Sequence, residues 1–183
     1  QGAYISLGGY TGDFVVTVTI SLLIILGGLG FFVWSDIYSA RDNKGRLHTQ
    51  SKIVLRSTAL LLLLGTVFFF IAEYENPQTM GNQGFFGRLL SSFFQSTTTR
   101  TAGFAQLNQA YLTGASKAMS VALMFVGGSP GSTAGGVKTV TLAVLLMAAL
   151  SSLRGTYQTT VGGRSISYKL VMDALSVFLL GIC

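Results

Sequence analysis

Apolar residues along this chain gather into long runs separated by short polar stretches. Phe14–Trp34 and Ile53–Ala72 are each about 20 residues long and nearly free of charge. At about 1.5 Å per residue, either is enough to cross a hydrocarbon core of about 30 Å. Each therefore predicts a membrane-spanning helix. The first lacks a basic leader and a small-residue cleavage site and is too long for a signal h-region, so it is expected to stay in the protein. Gly27, Gly28 and Gly30 near its inner end read as small residues that let membrane helices approach closely. Gly2–Asp13 reads as an outer loop and Asp36–Gln50 as a polar connector.

The pattern changes after Ala72. Phe85–Gln95 (FFGRLLSSFFQ) is amphipathic and apolar enough to enter a membrane, yet at about 16 Å it reaches only halfway across. A polar stretch follows, STTTRTAGFAQLNQ over Ser96–Gln109. The pair predicts a re-entrant hairpin, a half-helix going in and extended chain coming out. The next apolar stretch, Ala110–Leu153, would measure about 66 Å as one helix, twice the membrane core. Its middle, GGSPGSTAGGVKT over Gly127–Thr139, holds five glycines and a proline within ten residues. These remove helix propensity at about 1 kcal/mol per Gly and about 3 for Pro. The helix is expected to break there. Non-helical backbone at membrane depth survives only in protein or facing water, which makes both segments candidates for a pore lining.

Composition and charge sharpen this picture. Half of the residues are hydrophobic and 10% are charged, against about a quarter charged in a soluble domain. A net charge of +6 raises the possibility of a nucleic-acid partner, but its distribution argues against one. Arg41, Lys44, Arg46 and Lys52 lie between the first two runs with Arg56 just inside the second, and Arg154, Arg164 and Lys169 follow the long third one; the loop after Ala72 carries Glu73, Glu75 and Arg88. Short loops rich in Lys and Arg stay cytoplasmic, so the first helix runs outside to inside, the second returns, and 73–109 faces outward. His48 reads as a solvated loop residue, with no Cys or second His beside it to hold a metal. The single cysteine, Cys183, permits no internal disulfide. The chain stops inside an apolar run, Leu170–Ile182, too short to span, so it is expected to be one segment of a longer polypeptide.

Two segments could carry chemistry. Dehydrating a monovalent cation takes a ring of oxygens, and backbone carbonyls supply it in potassium filters. Within Thr98–Phe104, Gly103 supplies the freedom for positive φ, Thr101 a hydroxyl, and Phe104 a bulky wedge behind the strand. The alternative is a Thr-rich outer loop that touches no ion. Arg100 is expected to point away from such a path and pair with a carboxylate or carbonyls. Glu73 and Glu75 either line an outer mouth or are ordinary loop acids. Gly127–Thr139 nearly spells a phosphate loop, but Val137 intervenes before Lys138 and Thr139, and no acidic strand follows. The reading preferred here is a flexible intramembrane loop that occludes a pore below the filter. Lys138 then either sits near the ion path or snorkels to the interface.

FFQSTTTRTAGF followed by MFVGGSPGSTAGGVKT resembles the third repeat of the membrane subunit of the Ktr/Trk/HKT potassium transporters, the Ktr branch most closely, and GGLGFFVW resembles the close of that family's second repeat. The resemblance implies an all-α integral membrane fold of four helix–pore-loop–helix repeats around one pore, about one and a half of which fall in this chain. It divides the sequence into 1–35 (outer loop and last helix of the preceding repeat), 36–52 (cytoplasmic loop), 53–153 (a complete repeat with a broken second helix) and 154–183 (cytoplasmic loop and start of the next repeat). It also implies a filter quarter of Thr101, Ala102, Gly103 and Phe104 for K+. The implied gate is Gly127, Gly128, Ser129, Pro130, Gly131, Ser132, Thr133, Ala134, Gly135, Gly136 and Lys138. Potassium uptake across the cell membrane by a multi-pass homodimer on a cytosolic nucleotide-binding RCK ring is the implied activity, with membrane lipids but no nucleic acid as partners and no covalent cofactor. Sodium as permeant or coupling ion, and a non-conducting scaffold, are the alternatives. No enzyme activity is expected.

Overall fold

The computed structural model describes residues 6–40, 47–153, 160–161, 164–165, 171–176 and 178. Arg41, Lys44, Arg46, Arg154, Lys169 and Cys183 therefore lie outside the described residues, as does most of the final apolar run. The elements are helical: α1 (Phe14–Leu29), α2 (Phe31–Ala40), α3 (Thr49–Ala72), α4 (Phe85–Thr98), α5 (Gly114–Phe125) and α6 (Thr139–Leu153). One two-residue antiparallel ladder, β1 (Thr160–Val161) with β2 (Arg164–Ser165), is the exception. Residues 171–176 are also helical.

The first apolar run is not one straight helix. It breaks at Gly30, whose φ of 80° no ordinary side chain favours, and resumes as α2, which carries helix through Asp36 to Ala40. Among the described residues α3 alone is a continuous helix long and apolar enough to cross a membrane, while α1 and α2 together form a broken candidate. The long third run breaks as expected, α5 ending at Phe125 and α6 beginning at Thr139.

The described residues group into two compact units. One holds 6–28 and 59–125. Its interior is mixed rather than apolar: Thr17, Ser21, Ser91, Ser92, Gln95, Ser96 and Thr97 are buried beside Phe69, Met80 and Phe94, while Leu22, Leu23, Leu60, Leu63, Val67 and Ile71 stay exposed. Apolar faces turned outward with polar groups inside suit a hydrocarbon solvent, which offers polar groups no partners. Gly65 lets α3 pass close to α4, since a Cβ there would lie 2.3 Å from Ser96 Oγ. The Ser96 hydroxyl donates across the gap to the Leu62 carbonyl at 3.0 Å. Of the glycines in the first run, a Cβ at Gly30 would lie 2.7 Å from Ser129 Oγ, whereas one at Gly28 would meet open space among the described residues.

The second unit holds 29–58 and the residues from 126 onward. Leu29, Val33 and Val54 form its core, with Leu55 and Val140 against them. The Asp36 carboxylate takes the His48 amide at 2.9 Å and pairs with the His48 ring. That contact anchors the start of α3, and His48 keeps its side chain 80% exposed.

Candidate functional site

In the first unit, α4 delivers the chain to a turn over 99–102, where extended chain is expected, and then to the irregular segment that follows. It runs three residues past its expected end, to Thr98, because its last turns are polar yet fully partnered. Thr97 Oγ1 donates to Phe93 O at 2.8 Å, and Thr99 Oγ1 to Ser96 O at 3.0 Å. The Arg100 and Ala102 amides then bond back to Thr97 O and Thr98 O. Thr101 takes φ 65° and Gly103 φ 80°, while Ala102 between them keeps negative φ. A β-branched residue in the left-handed region costs about 1–3 kcal/mol and persists only where its surroundings impose it.

The chain leaving this segment is held from several sides. The Leu7 amide bonds to Ala105 O at 2.9 Å, and the Ala105 amide to Ser6 Oγ at 2.9 Å. Gln106 Nε2 donates to Thr17 Oγ1 at 2.6 Å and to Tyr10 O at 3.2 Å. Gln95 and Gln109 exchange reciprocal amide bonds of 3.0 and 3.1 Å. The sequence reading passed over these three glutamines. Only Gln95 carried a signal, since an uncharged amide inside an amphipathic half-helix needs a buried partner.

Between these anchors the carbonyls of Thr101, Ala102 and Gly103 accept no hydrogen bond among the described residues. Thr101, Gly103 and Phe104 face the surface of this chain. Phe104 departs from its expected role: it is 44% exposed rather than wedged behind the strand, and its carbonyl accepts from Thr98 Oγ1 at 2.5 Å. Arg100 points inward, 8% exposed, but finds no carboxylate among the described residues, and its Nε and Nη2 have no hydrogen-bond partner.

Glu73 is neither a mouth residue nor a solvated loop acid. It is fully buried and accepts from Asn76 Nδ2 and Thr79 Oγ1, both at 2.7 Å, from the Thr113 amide at 2.9 Å and from Thr113 Oγ1 at 2.8 Å. Thr113 in turn caps α5 by accepting from the Ser116 amide. The carboxylate thus ties the C-terminal end of α3 to the start of α5. Burial pushes the Glu73 carboxyl up, but hydrogen bonds from Ser116, Thr79 and Thr113 outweigh it and hold it below the ordinary value of 4.5. A lowered folded pKa gives stability that is present above the ordinary value and is lost as pH falls through the lowered one. Glu73→Gln should therefore lower stability at pH 7 by about 1.5–3 kcal/mol and flatten the loss of stability below pH 4.5; thermal melts across pH 3–7 would check it. Glu75 is exposed.

In the second unit, the glycine-rich segment forms a closed loop. Val126 and Val137 pair as a parallel bridge. The Gly127 amide donates to Val137 O at 3.0 Å and the Thr139 amide to Gly128 O at 3.1 Å. Gly127 must be glycine, since a Cβ there would overlap the Gly135 carbonyl at 1.5 Å. The Lys138 Nζ donates to Ala134 O at 2.8 Å, back onto the loop. At the tip, the fully buried Ser129 donates to the Leu29 carbonyl, and Gly131 O accepts from the Phe31 amide at 3.0 Å.

Residues 5–183 match the family described as TrkH, cation transport protein. The chain is 38% identical over 173 residues to the Ktr system potassium uptake protein B of Bacillus subtilis, a match covering 94% of this chain and 38% of that protein. It is 41% identical over 172 residues to the potassium/sodium uptake protein NtpJ of Enterococcus hirae, with the same coverage of 94% and 38%. The crystal structure of the potassium transporter TrkH from Vibrio parahaemolyticus shares its fold, with a TM-score of 0.78 at 19% identity over 98% of this chain and 39% of that one. The chain spans less than two-fifths of the length of these relatives.

Proposed function

This chain belongs to the TrkH family of cation transport proteins, and from that premise we propose that it contributes one quarter of a potassium filter and the gate of the same pore. Thr101, Ala102, Gly103 and Phe104 form the filter strand, and the loop from Gly127 to Lys138 is the gate. One observation carries the reading. Three consecutive carbonyls, those of Thr101, Ala102 and Gly103, stand without donors among the described residues in a segment whose φ alternates positive, negative, positive. Alternating handedness brings neighbouring carbonyl oxygens to one side of a strand, where a cation can replace water with them. No cluster of three His, Cys, Asp or Glu side chains occurs among the described residues, so oxygens of the main chain and of Thr101 would do the coordinating.

The complete protein, on this reading, is a multi-pass transporter of the cell membrane that takes up K+ down an inward-negative potential worth about 2.3 kcal/mol per charge per 100 mV. It pairs as a homodimer on a cytosolic nucleotide-binding ring, a proposal supported by the likeness to a protein of a Ktr system. Sodium as a second permeant or coupling ion is favoured by the likeness to a potassium/sodium uptake protein. Flux from liposomes carrying the complete protein is the test. K+ flux well above that of empty vesicles is expected, and none at all would leave the scaffold reading in its place.

A further inference from the structure

The tip of the glycine-rich loop closes on the break between α1 and α2, and the two defects complete each other. Where the helix stops at Gly30, the Leu29 carbonyl loses its donor four residues on, and the Phe31 amide loses its acceptor four residues back. Such groups have no water to turn to in an apolar surrounding and must find protein partners. The loop supplies both: the Ser129 hydroxyl donates to Leu29 O, and Gly131 O accepts from the Phe31 amide at 3.0 Å. From this reciprocity we infer that Ser129 is a positioning residue, latching the loop to the Gly30 break so that the loop cannot shift without orphaning both backbone groups.

The steric fit points the same way. A Cβ at Gly30 would lie 2.7 Å from Ser129 Oγ and 2.8 Å from Pro130 O. A Cβ at Gly131 would lie 2.7 Å from the Phe32 ring. Both glycines take positive φ, 80° and 74°, so each is needed twice, for its backbone angle and for its missing side chain. Ser129 has no exposed surface, so its hydroxyl has no alternative partner in solvent while the loop is seated. Displacing the loop then leaves a hydroxyl, a carbonyl and an amide unpaired together, which favours the seated state and makes release cooperative.

The latch rests on the reading of the loop as a gate, and the two separate experimentally. The complete protein is reconstituted in liposomes in four forms: wild type, Ser129→Ala, Gly30→Ala, and one shortened within Gly128–Gly136. K+ flux, K+/Na+ preference and the rate at which a charged thiol reagent modifies a Thr133→Cys background are read for each. Thr133 is exposed on the loop. The latch predicts that Ser129→Ala and Gly30→Ala each raise flux about tenfold, equivalent to about 1.4 kcal/mol. Both should speed thiol modification and leave ion preference as in wild type, a combination that general destabilisation does not produce. Raised flux in the shortened form, with both point variants matching wild type in flux and modification rate, would overturn the latch and leave the gate standing. Unraised flux in the shortened form would remove the gate and the latch with it. Should one point variant fail to reconstitute, the other decides by the same two readings.

Discussion

Gly103→Asp in the complete protein should abolish most of the preference for K+ over Na+, lowering the ratio of their fluxes by about tenfold or more. Gly103 sits at φ 80°, a region that costs an ordinary L-residue roughly 1–2 kcal/mol. Aspartate tolerates left-handed backbone better than most side chains, so the strand should keep its course while gaining a carboxylate beside the carbonyl oxygens. A full negative charge there raises the field strength of the site, and filters discriminate through the number and field strength of their oxygens. Nothing among the described residues lies within 4 Å of where the new Cβ would be, so a packing clash with them would not explain the change. Gly103→Ala separates the two contributions, since it adds the conformational strain without the charge and should cost less selectivity. Competing K+ and Na+ fluxes measured in the same vesicles give the answer. An unaltered preference in Gly103→Asp would remove this strand from the filter.

Much of the scaffold around that strand could be read from residue order. A half-length amphipathic helix before a polar run has few stable placements in a bilayer, and five glycines with a proline cannot continue a helix. Both segments were therefore legible as breaks in regular structure. The positive φ of Thr101 was not, because β-branched residues avoid that region and only the surrounding bonds from Thr98 force it. The break at Gly30 was hidden among three glycines of one apolar run, all of which suit close helix packing equally well. What singles out Gly30 is the loop tip about 100 positions later in the chain.

Charged residues were the hardest to place, for the same reason. Glu73 follows an apolar helix and looks like a solvated acid, yet its donors include Thr113, 40 positions away. No local pattern announces such a partnership. Arg100 was expected to find a carboxylate or carbonyls, and among the described residues its Nε and Nη2 have neither. Its burial without a partner fits a chain that spans less than two-fifths of its relatives' length, because a guanidinium at depth is tolerated where some oxygen answers it.

Removing several residues between Gly128 and Gly136 should raise K+ flux through the complete protein by about tenfold or more and blunt its regulation. The loop is closed at its base by the Val126–Val137 bridge and the Gly127–Val137 hydrogen bond, and Lys138 clasps Ala134 from within. A turn so well bonded is a defined structure rather than a slack tether, so, on the gate reading, shortening it removes both the obstruction and the contacts that seat it. The bonds lost lie within the loop and at the Gly30 break, which leaves α5 and α6 free to keep their helices. Their melting behaviour should change little, and circular dichroism of the purified variant checks that the membrane fold survives. Flux measured with and without the cytosolic regulator then tests the plug itself. A shortened loop that conducts no better than the native one would mean that this stretch of glycines joins two half-helices and does not stand in the path of the ion.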